Sequence, residues 1–310
     1  FQSILSEKNS LLNSSIQNII EIDNKLLLVS KDGLSIFNRE KYNYDRVKIP
    51  LPISIVDDKK NNLVYVTTSN NGLYQLDYDF NILNNYKTDP LNPFTISSNS
   101  FFESSRQKTI KFLNQETGDI VLAADQIINV FIKKDETFKR LTSESQVGLE
   151  RINSISIFDK NNILIGRQIG LEILNIKDKE FKSFDQFKFD EIFDVFIKKV
   201  EIFSDDEFDI AETRTTEQSS EIVAYNAFVL SNRGLFKLSF DNEFNFMRSD
   251  LLSQNNSNEF NKISTTDKHF FIWGINKSRI VKFDYLGNQV ENFSNQYPMN
   301  GICIDKNENL

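Results

Sequence analysis

The sequence of 310 residues is poor in the side chains that most often bind metals or form covalent cross-links. It contains one cysteine, Cys303, and one histidine, His269. A single cysteine excludes an intrachain disulfide and a cysteine-based zinc site, and a lone histidine excludes a site built on several imidazoles. His269 lies in the strand-like pattern TDKHFFIWG. A histidine there is more often a packed or surface residue than a member of a catalytic triad.

A basic surplus and long hydrophobic runs are also lacking. The 36 basic residues are outnumbered by 44 acidic ones, which gives a net charge of −8. This balance argues against a general nucleic-acid surface and against docking on an anionic membrane. No apolar run is long enough to span a bilayer, and the first residues, FQSILSEKNS, show no signal peptide. Because the sequence does not begin with methionine, we expect an upstream segment to have been cleaved or left out.

Recognisable catalytic and cofactor motifs are missing as well. There is no phosphate-binding glycine loop and no G-x-S-x-G elbow. The acidic run SDDEFD, 204–209, lacks the spacing of a calcium-binding loop, so we interpret 204–221 as a solvated insertion. The adjacent pairs Asp57–Asp58 and Asp205–Asp206 are typical of turns. Glycosidase chemistry needs two carboxyl groups that converge from different elements, which a sequence does not exclude. We predict no cofactor, no metal site and no catalytic residue in this chain.

What the chain does have is a repeat: an alternating apolar strand, a polar turn, a second strand, and a Gly-Leu step into a third. The copies are IQNIIEIDNKLLLVSKDGLSIF (16–37), ISIVDDKKNNLVYVTTSNNGLYQLD (53–77), a degenerate copy (101–132), INSISIFDKNNILIGRQIGLEILN (152–175), a stretched copy (192–240), KISTTDKHFFIWGINKSRIVKFD (262–284) and the start of a seventh. They begin near Ile16, Ile53, Phe101, Ile152, Ile192, Ile263 and Ile302. Four-stranded propeller blades repeat every ~40–50 residues, and only the fifth copy, with its insertion, is much longer.

The repeat predicts one all-β domain over 1–310, a β-propeller of four-stranded antiparallel blades, most simply seven-bladed. Six blades are clear. The sequence leaves open whether the seventh closes with residues 1–15; if it does, FQSIL should form a strand beside residues 302–304. We expect the glycines of the Gly-Leu steps in tight turns with positive φ: Gly33, Gly72, Gly170 and Gly234. A β-sandwich is the structural alternative, but it does not explain a repeated Gly-Leu phrase. No segment shows helical periodicity with caps.

The aromatic residues divide into two groups. Those in strand patterns, together with Trp273, are predicted to form the core: Phe101, Phe102, Phe131, Phe193 and Phe196. Those in connections between blades are better candidates for contact with a ligand or partner: Tyr42, Tyr44, Tyr86 and Tyr297. No ligand-binding residue can be assigned beyond this division.

Two segments resemble a known repeat. LVYVTTSNNGLYQLD, 63–77, is similar to the two-component regulator propeller repeat, found in the periplasmic sensor region of Bacteroidetes hybrid two-component systems. The following segment, YKTDPLNPFTISSNSF, 86–101, resembles the Y-x-x-D-P-x-N-P linker that joins blades in that family. Pro90 and Pro93 break the strand there, and Ser97, Ser98 and Asn99 lead the chain into the next one. The resemblance covers essentially the whole chain and is strongest in the second blade.

The resemblance implies a function. It makes this chain the N-terminal, extracytoplasmic sensor propeller of an inner-membrane receptor that carries a histidine kinase elsewhere in its sequence. Such a module would be non-catalytic and would take part in sensing an oligosaccharide and relaying the signal. A downstream propeller, an immunoglobulin-like domain and a second receptor copy would be its partners. The alternatives are a structural or protein-interaction propeller of a cell-surface assembly and a propeller hydrolase or lyase.

Overall fold

A computed structural model describes residues 10–13, 16–101, 110–144, 150–199, 225–254, 262–264, 272–275, 279–283 and 289–294. These residues form six four-stranded antiparallel sheets, which we number as blades one to six in chain order. Their strands are β1 (Ile16–Ile22), β2 (Lys25–Ser30), β3 (Gly33–Asn38), β4 (Asn43–Val47); β5 (Pro52–Asp58), β6 (Leu63–Thr68), β7 (Leu73–Asp77), β8 (Ile82–Tyr86); β9 (Ile110–Asn114), β10 (Asp119–Ala124), β11 (Ile127–Ile132), β12 (Thr137–Leu141); β13 (Ile152–Ile157), β14 (Asn162–Arg167), β15 (Leu171–Asn175), β16 (Glu180–Ser183); β17 (Ile192–Lys199), β18 (Tyr225–Ser231), β19 (Gly234–Phe240), β20 (Phe246–Gln254); β21 (Lys262–Ser264), β22 (Ile272–Ile275), β23 (Arg279–Phe283) and β24 (Gln289–Ser294). One 3₁₀ turn, Asp185–Phe187, lies between blades four and five.

The sheets are arranged radially. Each is a simple meander in which strands pair in chain order. The first strand of each blade contacts the first strand of the next, from β1 and β5 through to β17 and β21. The first strands are therefore innermost and the fourth strands lie at the rim. This arrangement confirms the predicted β-propeller.

In blades two to five, which each lie between two others, the central strands are buried on both faces. In β6, Val64 and Val66 pack into an apolar cluster with blade one, whereas Tyr65 packs into a cluster with blade three. All three side chains are withdrawn from solvent. Burying an aliphatic or aromatic side chain of this size contributes roughly 1.5–3 kcal/mol. Successive side chains of β6 therefore point alternately into the two apolar clusters on either side of the blade, and not alternately into a core and into solvent.

The polar segments of the repeat form the turns between first and second strands. In blade four, the Asp159 carboxylate accepts the backbone N–H groups of Asn161 and Asn162 at 2.8 and 2.7 Å. In blades one and two, Asp23 and Asn62 have φ of 52° and 53°. Asp and Asn tolerate this left-handed conformation better than other non-glycine residues, which is why the turns are rich in them.

Two predicted boundaries can be compared with the strands. The first described strand of blade three begins at Ile110 and not at Phe101. Phe101 belongs to the preceding connection, where its N–H donates to the Thr68 carbonyl at 3.1 Å. In blade five, the long step falls between β17 and β18, so residues 200–224 separate those two strands. The acidic insertion 204–221, the strand at Ile302 and the N-terminal FQSIL lie outside the described residues, so closure of a seventh blade stays a prediction.

Across the described ranges, no helix is both long and apolar enough to cross a membrane.

Candidate binding face

The segments that join consecutive blades and the turns between second and third strands lie at the same end of the propeller. We call this end the connection face; it consists of 48–51, 87–101, 142–144, 150–151 and 184–191 together with the turns 31–32, 69–72, 125–126, 168–170 and 232–233. Backbone hydrogen bonds tie turn to connection: Ser69 N–H donates to the Leu51 carbonyl at 2.9 Å, and Gly170 N–H donates to the Asp190 carbonyl at 2.8 Å. Irregular segments are thereby held in place by the sheets beneath them.

The glycines of the Gly-Leu steps lie on this face. Gly33, Gly72 and Gly170 have φ of 135°, 80° and 104°. At Gly72 an added Cβ would lie 2.1 Å from the Tyr86 carbonyl oxygen, so the fourth strand leaves no room for a side chain. Gly234 has no positive φ, and the prediction for it was wrong. Its strand pairs with β20 as far as Gln254, which holds Gly234 within the ladder.

A hydroxyl group closes three of these turns, a feature that sequence reasoning missed. Ser30, Thr68 and Ser231 end the second strands of blades one, two and five. Each side-chain oxygen donates to the carbonyl of the glycine in its turn, at 3.1, 2.9 and 3.4 Å. The sequence pattern that could have predicted these hydrogen bonds is a Ser or Thr three or four residues before the glycine of the Gly-Leu step. In blade four the matching position is occupied by Arg167.

Arg167 takes part in a buried ion pair. Its Nε lies 2.7 Å from Glu172 Oε2, and both side chains are completely buried. Glu172 Oε1 also accepts the hydroxyl groups of Ser143, at 2.9 Å, and Ser183, at 3.1 Å. Arg167 Nη1 donates to the Glu150 carbonyl at 2.8 Å. The pair therefore anchors the connection between blades three and four to the third strand of blade four.

The linker that carries the family resemblance is an ordered loop. Thr88 N–H donates to Asn99 Oδ1 at 2.8 Å, which closes its base. Within it, Asp89 N–H donates to Thr95 Oγ1 at 2.9 Å, and Thr95 Oγ1 donates to the Asn92 carbonyl at 2.9 Å. These short polar side chains satisfy the backbone groups that the two prolines leave out of any strand.

The Arg140 guanidinium, on the outer strand of blade three, donates hydrogen bonds to backbone carbonyls of this loop. Its Nε donates to the Thr95 carbonyl at 2.8 Å, and its Nη2 donates to the Ile96 carbonyl at 3.1 Å. Ile96 is fully buried, whereas Leu91 and Phe94 are 94% and 64% exposed. Two large apolar side chains are thus presented to solvent by a loop that is itself fixed.

A second exposed aromatic lies on the connection between blades four and five. Phe189 is 84% exposed, and the neighbouring Asp190 is buried and paired with Arg233. The Arg233 guanidinium also lies over the rings of Phe187 and Phe236, with centroid distances of 5.7 and 5.1 Å. The connection is therefore fixed by a charge pair and by stacking, while Phe189 points outward. Exposed apolar groups on rigid loops are typical of contact surfaces.

The opposite end of the propeller has a cavity of about 390 Å³ between blades one and two. It is lined by Ile22, Asp23, Asp57, Lys59, Asn62 and Tyr78. The Tyr78 hydroxyl donates to Asp57 Oδ1 at 2.6 Å, while Asp57 Oδ2 is enclosed without a hydrogen-bond partner. Burial raises the pKa of Asp57 more than Tyr78 and Lys59 lower it. Asp58 forms the turn and an ion pair with Lys133 at 3.1 Å.

The predicted aromatic core is largely confirmed. Phe101, Phe131 and Phe193 are at most 1% exposed, and Phe196 packs against the cluster between blades five and six. The side chains of Phe102 and Trp273, and residues Tyr297, His269, Cys303, Asp205 and Asp206, lie outside what the structure describes.

Of the connection tyrosines, two prove to be packed. Tyr86 contacts Phe131 with ring centroids 5.0 Å apart, and burial raises its pKa to about 12. Tyr44 packs on Phe37 at 5.0 Å. Tyr42 is 77% exposed, but it lies in the turn between β3 and β4 of blade one and not in a connection between blades, so its predicted location was wrong. Tyr86 was misassigned because it ends β8, where its ring faces blade three and not the solvent.

Within the described part of the chain, no group of three or more His, Cys, Asp or Glu side chains is placed to hold a metal ion. The connection face combines exposed apolar groups with the ion pairs Arg167–Glu172 and Arg233–Asp190. This arrangement suits contact with a ligand or another protein surface.

No protein-family model matches the sequence, and no curated protein sequence matches it. Solved structures do match. An extracellular domain assigned to a hybrid two-component system of B. thetaiotaomicron aligns over 93% of this chain with a TM-score of 0.61 and 16% identity. An extracellular domain assigned to a one-component system of the same organism aligns over 87% with a TM-score of 0.56 and 13% identity. This chain spans 36% and 34% of those two chains, about a third of each.

Virginiamycin B lyase from Staphylococcus aureus also has this fold. It aligns over 90% of this chain and 83% of its own length, with a TM-score of 0.59 and 12% identity. Propellers of this shape therefore occur both in extracellular domains of such systems and in an enzyme, and at these identities the likeness concerns the fold. The chain is a β-propeller of the shape found in extracellular domains of a hybrid two-component system and a one-component system, in agreement with the resemblance drawn from its second blade.

Proposed function

We propose that this chain is the extracytoplasmic sensor propeller of a two-component receptor, located in the periplasm and without catalytic activity of its own. The single observation that carries the proposal is the linker loop 87–99. Its sequence resembles the blade linker of such receptors, and its fixed conformation exposes Leu91 and Phe94. The structural likeness to two receptor domains supports the same role.

The ligand class that we propose is an oligosaccharide, recognised at the connection face together with domains outside this chain. Aromatic and aliphatic side chains on a rigid loop can pack on the apolar faces of sugar rings with little loss of conformational entropy. A ligand would act by binding more tightly to one arrangement of the receptor's domains than to another. A downstream propeller and an immunoglobulin-like domain are the proposed partners within the receptor.

The test is a thermal-shift screen of the chain against a panel of polysaccharide-derived oligosaccharides, repeated with the longer receptor that contains it. A ligand that binds only the folded state raises the melting temperature. The double variant Leu91→Ser/Phe94→Ser should give a smaller shift. The apparent affinity derived from it should be weaker by a factor of at least about ten, which is equivalent to ~1.4 kcal/mol. The control is Leu83→Ser, because Leu83 is 54% exposed but lies on the outer strand β8.

Each outcome has a clear meaning. A shift that depends on Leu91 and Phe94 supports the proposal, and a shift that both variants retain places the site elsewhere. Absence of any shift with the longer receptor would overturn glycan sensing. Turnover of the oligosaccharides by the chain would instead support a propeller hydrolase or lyase; one structural neighbour is a lyase.

A further inference from the structure

The rim of blade five has an unusual outer strand. β20 is nine residues long, whereas the outer strands of the other blades have four to six residues: β4, β8, β12, β16 and β24. It is the last strand of its sheet, and no described strand pairs with its outer edge. A long edge strand exposes a row of backbone N–H and C=O groups that another strand can pair with.

The centre of β20 is regular and exposed. Residues 248–251 pair without interruption with β19, and the register shifts on either side of this segment, next to Met247 and Leu252. Leu251 is 49% exposed. The Arg248 and Asp250 side chains are 63% and 47% exposed and lie 3.6 Å apart. Leu251, Arg248 and Asp250 are therefore not packed in the core of the propeller.

The sequence of this segment is complementary to itself. In an antiparallel pairing of two copies about Ser249, Arg248 lies directly opposite Asp250 of the second copy, and the reverse pair forms by symmetry. Both residues alternate with Ser249, so they project from the same face of the sheet. Opposite charges at directly facing positions stabilise antiparallel strands. We propose that β20 pairs with β20 of a second copy of this chain, which joins two fifth blades into one continuous sheet.

Other rim strands fit this role less well. β12 carries Lys139 and Arg140 together, so its charges add up to one sign. In β16, Glu180 and Lys182 flank Phe181 in a complementary way, but this strand has only four residues. In β20 the complementary charges lie in the middle of a nine-residue strand, whereas in β16 they span nearly the whole strand. The register shifts at both ends limit the paired segment, which favours a weak, reversible dimer.

Charge variants of the intact chain test the pairing by analytical ultracentrifugation. Arg248→Asp places two carboxylates opposite one another in each half of the interface, and Asp250→Arg places two guanidinium groups there. We expect the wild-type chain to dimerise and each variant alone to dimerise at least about tenfold more weakly. An equimolar mixture of the two variants restores both opposite-charge pairs and should form a heterodimer with affinity near that of the wild type.

Melting temperatures of the variants establish that each one is folded. Lys182→Glu in β16 is the matched control and should leave dimerisation unchanged. The proposal is overturned if the wild type stays monomeric up to about 100 µM, a range in which a weak interface of this kind would assemble. It is also overturned if the mixture shows no rescue, or if only the β16 variant weakens the dimer. These results do not depend on a ligand, so they are distinguishable from failure of the sensor assignment.

Discussion

Arg167 and Glu172 form an ion pair whose two side chains are fully withdrawn from solvent, with Nε and Oε2 2.7 Å apart. In blade one the matching positions are occupied by Ser30 and Ser35. Ser35 accepts the Leu12 backbone N–H from the segment that enters the blade, as Glu172 accepts Ser143. The charge pair thus takes over a task that hydroxyl groups perform elsewhere in the propeller. It does so at a cost in desolvation, since Arg167 Nη2 is buried without a partner.

Removing one charge of this pair should be strongly destabilising. Glu172→Gln leaves a buried guanidinium without a counter-ion, and we expect the free energy of unfolding to fall by about 3–5 kcal/mol. Urea denaturation at neutral pH measures this change. The double variant Arg167→Ser/Glu172→Ser, which recreates the residues of blade one, should lose less than the sum of the two single variants.

An exposed pair of the same length is the control. Arg39 Nη1 and Glu21 Oε1 are also 2.7 Å apart, but their side chains are 47% and 56% exposed. Glu21→Gln should cost less than about 1 kcal/mol because solvent screens the pair. Equal losses for Glu21→Gln and Glu172→Gln would mean that burial does not decide how much each pair contributes to stability.

Two glycines of the repeat should respond differently to the same substitution. Gly72→Ala introduces a side chain at φ of 80° and within 2.1 Å of the Tyr86 carbonyl oxygen. We expect a loss of about 2 kcal/mol or more in the free energy of unfolding. Gly234→Ala should cost clearly less, because Gly234 lacks a positive φ. Thermal or chemical denaturation of both variants checks the difference, and similar losses would show that φ is not the deciding factor.

The fold could be predicted because its signals are local. Alternation in segments such as LVYVTT, the Asp/Asn turns and the Gly-Leu step each occupy a few adjacent residues, and their recurrence defines a blade. Positive φ was expected at Gly234 by analogy with the other copies. It is absent because β20 extends the ladder there, and no other described fourth strand is as long as this one.

The binding face could be predicted only in part. The linker 86–101 was recognised as a break between blades, but the exposure of Leu91 and Phe94 depends on contacts with Arg140, which lies in the next blade. In the same way, the pattern of the segment GRQIGLEI, 166–173, does not indicate that its two charged residues are buried. Arg167 and Glu172 meet only because the turn at Gly170 brings the ends of β14 and β15 together. Such contacts depend on register and on blade packing, which the sequence pattern does not specify.

Asp57 should lower the stability of the protein as pH rises, which is the opposite of a carboxylate whose pKa is lowered by folding. Burial raises its pKa above the unfolded value, and Asp58 and Asp23 add to the effect, while Tyr78 and Lys59 oppose it. The folded state is therefore penalised when Asp57 is charged, and this penalty disappears as pH falls through the folded pKa. Asp57→Asn should be more stable than wild type near pH 7, and the advantage should vanish near pH 4.

Asp241 provides the opposite sign for comparison. Its carboxylate accepts the Asn245 side-chain amide at 3.0 Å and backbone N–H groups, and these bonds lower its pKa. Its contribution to stability is present above the unfolded pKa and is lost as pH falls through the folded value. Asp241→Asn should therefore destabilise the protein near pH 7 and have little effect at low pH. Urea titrations of both variants at several pH values test the two signs, and parallel pH profiles would contradict the assignment.

The linker loop should lose its fixed conformation without Arg140. This side chain donates to the Thr95 and Ile96 carbonyls, and Arg140→Ala removes these bonds while leaving the β12 backbone in place. We expect chymotrypsin to cleave beside Leu91 or Phe94 roughly tenfold faster, because the population of the open loop rises by that factor for each ~1.4 kcal/mol lost. The melting temperature should change little, since Ile96, the loop residue that packs in the apolar cluster between blades two and three, is not altered by the substitution. Lys139→Ala, a change at the exposed neighbouring residue on β12, is the control and should leave the cleavage rate unchanged. If both variants are cut at the wild-type rate, the loop is held by its own Asp89, Asn92 and Thr95 bonds, and Arg140 is dispensable for presenting the two apolar side chains.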